Sequence, residues 1–381
     1  MTSTSESIPF VDLSIQHQPI QSELDRAVRA VIEKGNFILG QDLVDFEQAF
    51  AAASGVRYGI GVASGTDAIA LGLQACGIGE GDEVLIPANT FIATLIGVLR
   101  AKAKPILVDC DPDTALIDLE AAAKAITSQT RAIVPVHLYG QMVSPGQLLD
   151  FARSHNLLIF EDSAQAHLAQ REGYRAGSFG LASAFSFYPS KNLGAFGDGG
   201  ILITDDEQIA QKARSYRNYG ASQKYVHVNP GTNSRLDTLQ AAVLSVKLPH
   251  LEAWNHSRFS AAQHYDRALK PLRDKGIFPI QNQSGSGHIY HLYVLRVSET
   301  CPLSREILQD KLAAAGVQTG IHYPIPCHLQ PAYKFLGYQN GDFPHSETLA
   351  REILSLPMYP GLSETQVQAV VDALSAAILE H

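Results

Sequence analysis

Seven short apolar runs punctuate the first half of the chain, and helix-length stretches separate most of them. The runs are RYGIGVA (57–63), EVLIP (83–87), PILVD (105–109), RAIVPV (131–136), LLIFED (157–162), SAFSFY (183–188) and GGILIT (199–204). Helical stretches are expected at 66–76, 91–101, 116–126 and 145–155. Strands alternating with helices predict a parallel or mostly parallel sheet covered on both faces. In such sheets ligands bind beyond the carboxyl ends of the strands, so the residues just after each apolar run are the ones to inspect. Past residue 206 the alternation stops. A helix is expected over 206–218, then a polar, glycine-containing segment over 219–234. Leu236, Leu239, Val243 and Val246 recur at helical spacing, and 250–270 reads as a long connecting helix. A smaller α/β unit follows, with a strand at 288–297, a helix near 304–315 and a helical C-terminus. The expected division is a large domain over 1–250 and a small one over 251–381.

With 381 residues, 45% of them hydrophobic, the chain can bury two sizeable cores. Its net charge of −9 and its lack of a basic tract speak against a nucleic-acid partner. The polar start MTSTSESIPFVDL predicts neither a secretory signal nor a membrane anchor, and no run approaches the ~20 apolar residues of a spanning helix. Cys76, Cys110, Cys301 and Cys327 are far apart and have no CxxC spacing. That usage suits a reduced, cytoplasmic protein without a disulfide framework or zinc site. The fourteen histidines show no HExxH or comparable ligand spacing, so no metal is expected.

Three places carry chemistry. SGTDAIALGL (64–73) opens a helix with small residues, which suits a phosphate held by backbone N–H groups; taken alone, a plain helix cap by Ser64 or Thr66 is the favoured reading, since Ser, Gly and Thr are common before helices. LLIFEDSAQAH (157–167) puts Asp162 at the end of an apolar strand, where a carboxylate needs a partner. A protonated pyridine nitrogen of pyridoxal phosphate (PLP) is one such partner; capping of the next helix is the other reading. AFSFYPSKNLGAFGDGG (184–200) holds a single lysine, Lys191, with Ser186 before it, Asn192 after it, and glycines at 194, 197, 199 and 200. A desolvated lysine amine forms Schiff bases, although most loop lysines only face solvent. The order of the three matters more than any one. A phosphate loop, a strand-terminal Asp and a lysine on the next strand match a cofactor with one phosphate, one ring nitrogen and one aldehyde.

On these motifs, with IPFVDL, PANTFIAT, GTNSRLDTLQAAVL and IHYPIPCHLQPAY, the chain resembles the DegT/DnrJ/EryC1/StrS sugar aminotransferases over nearly its whole length. The resemblance implies a three-layer α/β PLP-transferase fold of type I. It has a mixed, mostly parallel seven-stranded sheet and a smaller C-terminal α/β domain. It implies that Lys191 binds PLP through its amine, that Asp162 pairs with the ring nitrogen, and that Gln165 meets the ring hydroxyl oxygen. Phe91 would stack on the ring, Gly65, Thr66 and Ser186 would hold the phosphate, and Asn233 would reach the phosphate of a neighbouring subunit in a homodimer. Tyr188, His227, His322, Tyr323 and His328 are substrate candidates by motif position, each with a structural role as its alternative.

The resemblance further implies transfer of an amino group from L-glutamate to a nucleotide-linked 3-keto-6-deoxyhexose, dTDP being the expected nucleotide. Lys191 stands where sugar-dehydratase relatives carry histidine, which supports transamination. Ser234 stands where relatives acting at C4 more often carry an aromatic, and KYVH (224–227) also looks like members acting at C3. The alternatives are amination at C4 or of a keto-inositol, and a catalytically idle regulatory relative.

Overall fold

The computed structural model describes residues 7–379. All seven expected strands form, as β1 (Tyr58–Val62), β2 (Glu83–Pro87), β3 (Lys104–Val108), β4 (Thr130–Ile133), β5 (Leu158–Asp162), β6 (Ala182–Ser186) and β7 (Gly200–Thr204). They make one sheet in the order β1-β7-β6-β5-β4-β2-β3. β2 to β6 pair in parallel, while β7 is antiparallel to both β1 and β6. Six strands therefore end at one edge of the sheet and β7 begins there. This reversal brings the glycines that precede β7 to the same edge as the carboxyl ends of the others.

Period-2 alternation sorts the sheet's side chains onto two cores. Val84 and Ile86 pack with Ala68, Leu73, Leu95 and Val98 of the helices Gly65–Ala75 and Ile92–Arg100. Leu85, between them in sequence, packs on the other face with Ile133, Ile159 and Leu148. Further along that second face, Phe46, Phe50, Phe185 and Phe187 interlock, with ring centroids of Phe50 and Phe187 5.4 Å apart. Burying such a ring contributes roughly 1.5–3 kcal/mol, and it anchors β6 directly before the lysine loop.

A second sheet of three antiparallel strands, Ile277–Pro279, Tyr293–Val297 and Ile353–Leu356, lies in the C-terminal part. Its core includes Tyr265, Leu295, Leu308, Leu354 and Leu374. Two expectations shift here. The strand expected over 288–297 is confined to Tyr293–Val297, and the stretch before it is a turn that runs to the cavity described below. Ile8, at the far end of the chain, bridges to Val317 and joins this C-terminal core, so the N-terminal segment packs across the expected boundary. Among the described residues, no helix is long and apolar enough to cross a membrane.

Candidate active site

The carboxyl edge of the large sheet opens into a cavity of about 340 Å³. Strand ends of the large sheet set much of its wall. After β1, Ser64 caps the helix Gly65–Ala75 by accepting from the Asp67 amide (3.2 Å). The first amides of that helix, Gly65 and Thr66, have no carbonyl one turn back to bond, and they point their partial positive charge at the cavity. Ser186, the last residue of β6, closes on them. A Cβ added at Gly65 would stand 2.7 Å from the Ser186 Cβ, and one added at Gly200 would stand 2.6 Å from the Gly65 nitrogen. Glycine at 65 and 200 is thus required by contact distance.

Asp162 ends β5 and is buried. Its carboxylate accepts from the Thr94 hydroxyl (2.7 Å) and the Ala164 amide (3.1 Å). Burial raises its pKa, and these two donors only partly offset that. Among the described residues it forms no ion pair. Glu161, its neighbour in sequence, points the other way. It accepts from His137 (2.9 Å) and from the amides of Gly177, Phe179 and Gly180. One carboxylate is fully used by the fold and the other is left partly open to the cavity.

Gln165 is oriented by its surroundings. Its Oε1 accepts from the Tyr139 amide (2.7 Å), so its Nε2 is the atom turned to the cavity, where it donates to the Tyr323 hydroxyl (3.0 Å). The Tyr139 hydroxyl in turn donates to the His322 carbonyl (2.6 Å). Phe91, half exposed, lies with its ring 5.0 Å from that of Tyr323.

Lys191 sits on a turn closed at both ends. Its amide donates to the Tyr188 carbonyl (2.8 Å), and the Ala195 amide donates to the Phe187 carbonyl (2.8 Å). Gly194 makes the turn possible, because a Cβ there would meet the Pro189 carbonyl oxygen at 2.2 Å. Burial pulls the Lys191 amine down to about 8 from its usual 10.5, against the opposing pull of Asp162. Its Nζ lies 3.4 Å from His291 Nε2.

The cavity brings together Gly65, Thr66, Phe91, Asp162, Gln165, Ser186, Tyr188, Lys191, His322 and Tyr323 of the residues expected from sequence. It does not include Asn233, His227 or His328. Asn233 and His227 are exposed, the latter on a short hairpin with its Nδ1 bonded to the Tyr219 carbonyl (2.8 Å). His328 is buried against Glu347 (2.9 Å) and packs edge-on to Phe343, which is a structural role. Asn192, which follows Lys191, is tied into the interior by hydrogen bonds to Asn255 and the Ile289 carbonyl. Ser234 is buried behind the helix start, donating to Asp67 (2.8 Å), and does not line the cavity. Sequence reasoning passed over Thr94 and His291. Thr94 lies inside the PANTFIAT run that was singled out for Phe91. His291 was absorbed into a strand that proves to begin two residues later.

This donor set fits PLP. The cavity offers an amine of depressed pKa, an unpaired carboxyl at a strand end, an amide N–H₂ turned inward, and a helix start with a serine beside it. Comparison with known proteins agrees. The profile of the DegT/DnrJ/EryC1/StrS aminotransferase family matches residues 18–375. A Geobacillus stearothermophilus protein named pleiotropic regulatory protein is 43% identical, over 97% of this chain and 98% of its own. The dTDP-3-amino-3,6-dideoxy-alpha-D-galactopyranose transaminase of Aneurinibacillus thermoaerophilus is 44% identical over 97% and 99%. The crystal structure of S. venezuelae DesV in complex with a ketimine intermediate superposes with a TM-score of 0.93 at 42% identity, covering 98% of this chain and 99% of that one. The chain therefore belongs to the DegT/DnrJ/EryC1/StrS aminotransferase family, a group of PLP-dependent sugar transaminases.

Proposed function

We propose that the protein transfers an amino group from L-glutamate to C3 of a dTDP-linked 3-keto-6-deoxyhexose, giving a 3-amino-3,6-dideoxyhexose nucleotide. The observation that carries the reading is the convergence of Lys191, Asp162, Gln165 and the helix start at Gly65 on one cavity. The name of the Aneurinibacillus relative supports the C3 position and the dideoxy sugar.

In this reading Lys191 would bind the PLP aldehyde, Gly65, Thr66 and Ser186 would hold its phosphate, Gln165 Nε2 would donate to the ring hydroxyl oxygen, and Phe91 would cover the ring. Bound there, PLP supplies an electron sink conjugated to the amino-acid bond that breaks. Asp162 would face the ring nitrogen, and a cation beside it would answer the cost of its buried charge. Thr94 holds that carboxylate in place. Lys191 Nζ takes up and returns the substrate proton, a task suited to an amine whose pKa lies near 8. Tyr188, His322 and Tyr323 line the cavity mouth as sugar contacts. His322 is held neutral, near 4, by burial first and by Lys191 second, so it meets hydroxyls as a neutral donor or acceptor.

Asn233 and His227 serve the cavity of a second copy in a homodimer that works in the cytoplasm. Their exposure, beside exposed Tyr219, Tyr225 and Val228, supports this arrangement. The test is product analysis. Holoenzyme, L-glutamate and the dTDP-linked 3-keto-6-deoxyhexose should give a C3 amine by NMR together with 2-oxoglutarate. Turnover of only the 4-keto isomer, to a C4 amine, would refute the C3 reading.

A further inference from the structure

Lys191 carries its amine on a flexible four-carbon stem, and something must select one position for it. The structure supplies a chain of hydrogen bonds whose direction can be followed from its far end. The Asn255 Nδ2 donates to the His167 carbonyl (2.9 Å), which leaves Asn255 Oδ1 as an acceptor. Asn192 Nδ2 donates to that oxygen (2.8 Å) and to the Ile289 carbonyl (3.1 Å). Both acceptors are unambiguous, so Asn192 Oδ1 is the atom that faces His291 Nδ1, at 3.1 Å. An amide oxygen only accepts, so His291 must carry its proton on Nδ1. Its Nε2 is then a bare lone pair, 3.4 Å from the Lys191 Nζ.

The surroundings keep the ring neutral. His291 is buried, and Lys191, Arg258, His322 and His167 all bear on it electrostatically in the sense that disfavours an imidazolium. Its backbone is fixed as well. Arg258, itself buried, donates through one nitrogen to the carbonyls of Tyr290 (3.2 Å), His291 (3.3 Å) and Met358 (3.0 Å).

We propose that His291 is a positioning residue for Lys191: its Nε2 accepts a hydrogen bond from Nζ, and Asn192, held by Asn255, locks the tautomer that leaves Nε2 free to do so. The amine is thereby aimed into the cavity whenever it is not bonded to cofactor. The proposal rests on the assignment of Lys191 as the cofactor lysine.

The test uses the full-length chain stripped of cofactor, with PLP itself as the probe. The rate at which the visible band forms is followed across pH in the unmutated protein, His291→Phe and His291→Gln. A lone pair facing Nζ favours the ammonium form. Its removal in His291→Phe moves the midpoint of the rate profile to lower pH, and loss of aim lowers the plateau about tenfold. His291→Gln puts an acceptor back and returns the midpoint toward that of the unmutated protein. An unchanged midpoint and plateau in His291→Phe overturn the proposal. So does an equal loss of plateau in both variants with no shift of midpoint, which describes a packing residue.

A second measurement needs no variant. ¹⁵N NMR of the histidine-labelled, unmutated protein should show His291 protonated at Nδ1 and bare at Nε2; a protonated Nε2 overturns the proposal. If the unmutated protein forms no band with PLP, the assignment of Lys191 fails, and the tautomer still decides the His291 contact.

Discussion

Two lysines, the partly buried Lys191 and the buried Lys247, share the properties usually taken to mark a reactive amine. Burial pulls each down to about 8. Each has a histidine nitrogen as partner, His291 at 3.4 Å and His17 at 3.0 Å. What separates them is what else they touch. Lys247 is sealed in, donates to the Gly194 carbonyl and lies under the Phe196 ring, 5.3 Å from its centroid. Its ammonium braces the turn that carries Lys191. Lys191 opens onto a cavity with a strand-end carboxyl and a helix start. A depressed pKa therefore reports desolvation, and only the geometry around the amine separates a nucleophile from a brace. The adjacent carboxylates teach the same thing: Glu161 spends its oxygens on four donors, while Asp162 keeps capacity for a ligand.

Substitution can break this contrast at several strengths. Lys191→Ala removes the amine proposed to bond cofactor and move the proton. Turnover should fall by about 10⁴-fold or more in a coupled glutamate assay, whereas Lys247→Met keeps activity within a few-fold. Comparable losses in both would erase the distinction. Asp162→Asn leaves the shape but removes the charge proposed to face the ring nitrogen. A loss of about 1.5–3 kcal/mol, roughly ten- to a hundredfold in kcat, is expected; native kcat would mean that Asp162 only caps the chain. Gly65→Ala drives a methyl against Ser186 and should weaken PLP binding by about 1–3 kcal/mol in a band titration. Unaltered affinity would place the phosphate elsewhere.

The smallest effect concerns stability. Lys247 loses its proton near 8 when folded and near 10.5 when unfolded. Between those values the unfolded chain holds a proton that the folded chain has shed, so stability rises with pH across that window. Above 10 the buried tyrosines, whose pKa values folding raises, begin to reverse the trend. From pH 8 to pH 10 the urea midpoint of the unmutated protein should climb more than that of Lys247→Met. Equal climbs would show that Lys247 titrates normally.

The large sheet was legible because its seven strands are buried runs bounded by turns; the family resemblance implied a mixed sheet, but the strand order and the reversal of β7 come from the structure alone. Asp162, Lys191 and Gly65 were legible because each sits where a strand hands over to a loop. His291 and Asn192 were not. Their roles depend on which atom of an amide faces which ring, a relation between turns about a hundred residues apart in sequence that no periodicity carries. His328 misled for the same reason: the motif placed it near the cavity, and Glu347 holds it inside the protein. Ser234 shows a third limit. The resemblance used it to separate subgroups, yet it bonds Asp67 behind the helix start and does not line the cavity.

The most direct test of the contrast between the two lysines is chemical. The PLP-loaded protein is reduced with borohydride, digested, and the phosphopyridoxyl group is located by peptide mass. The account predicts that the added mass lies on the peptide containing Lys191 and leaves the Lys247 peptide unmodified. Modification of Lys247, or of any lysine other than Lys191, would contradict it.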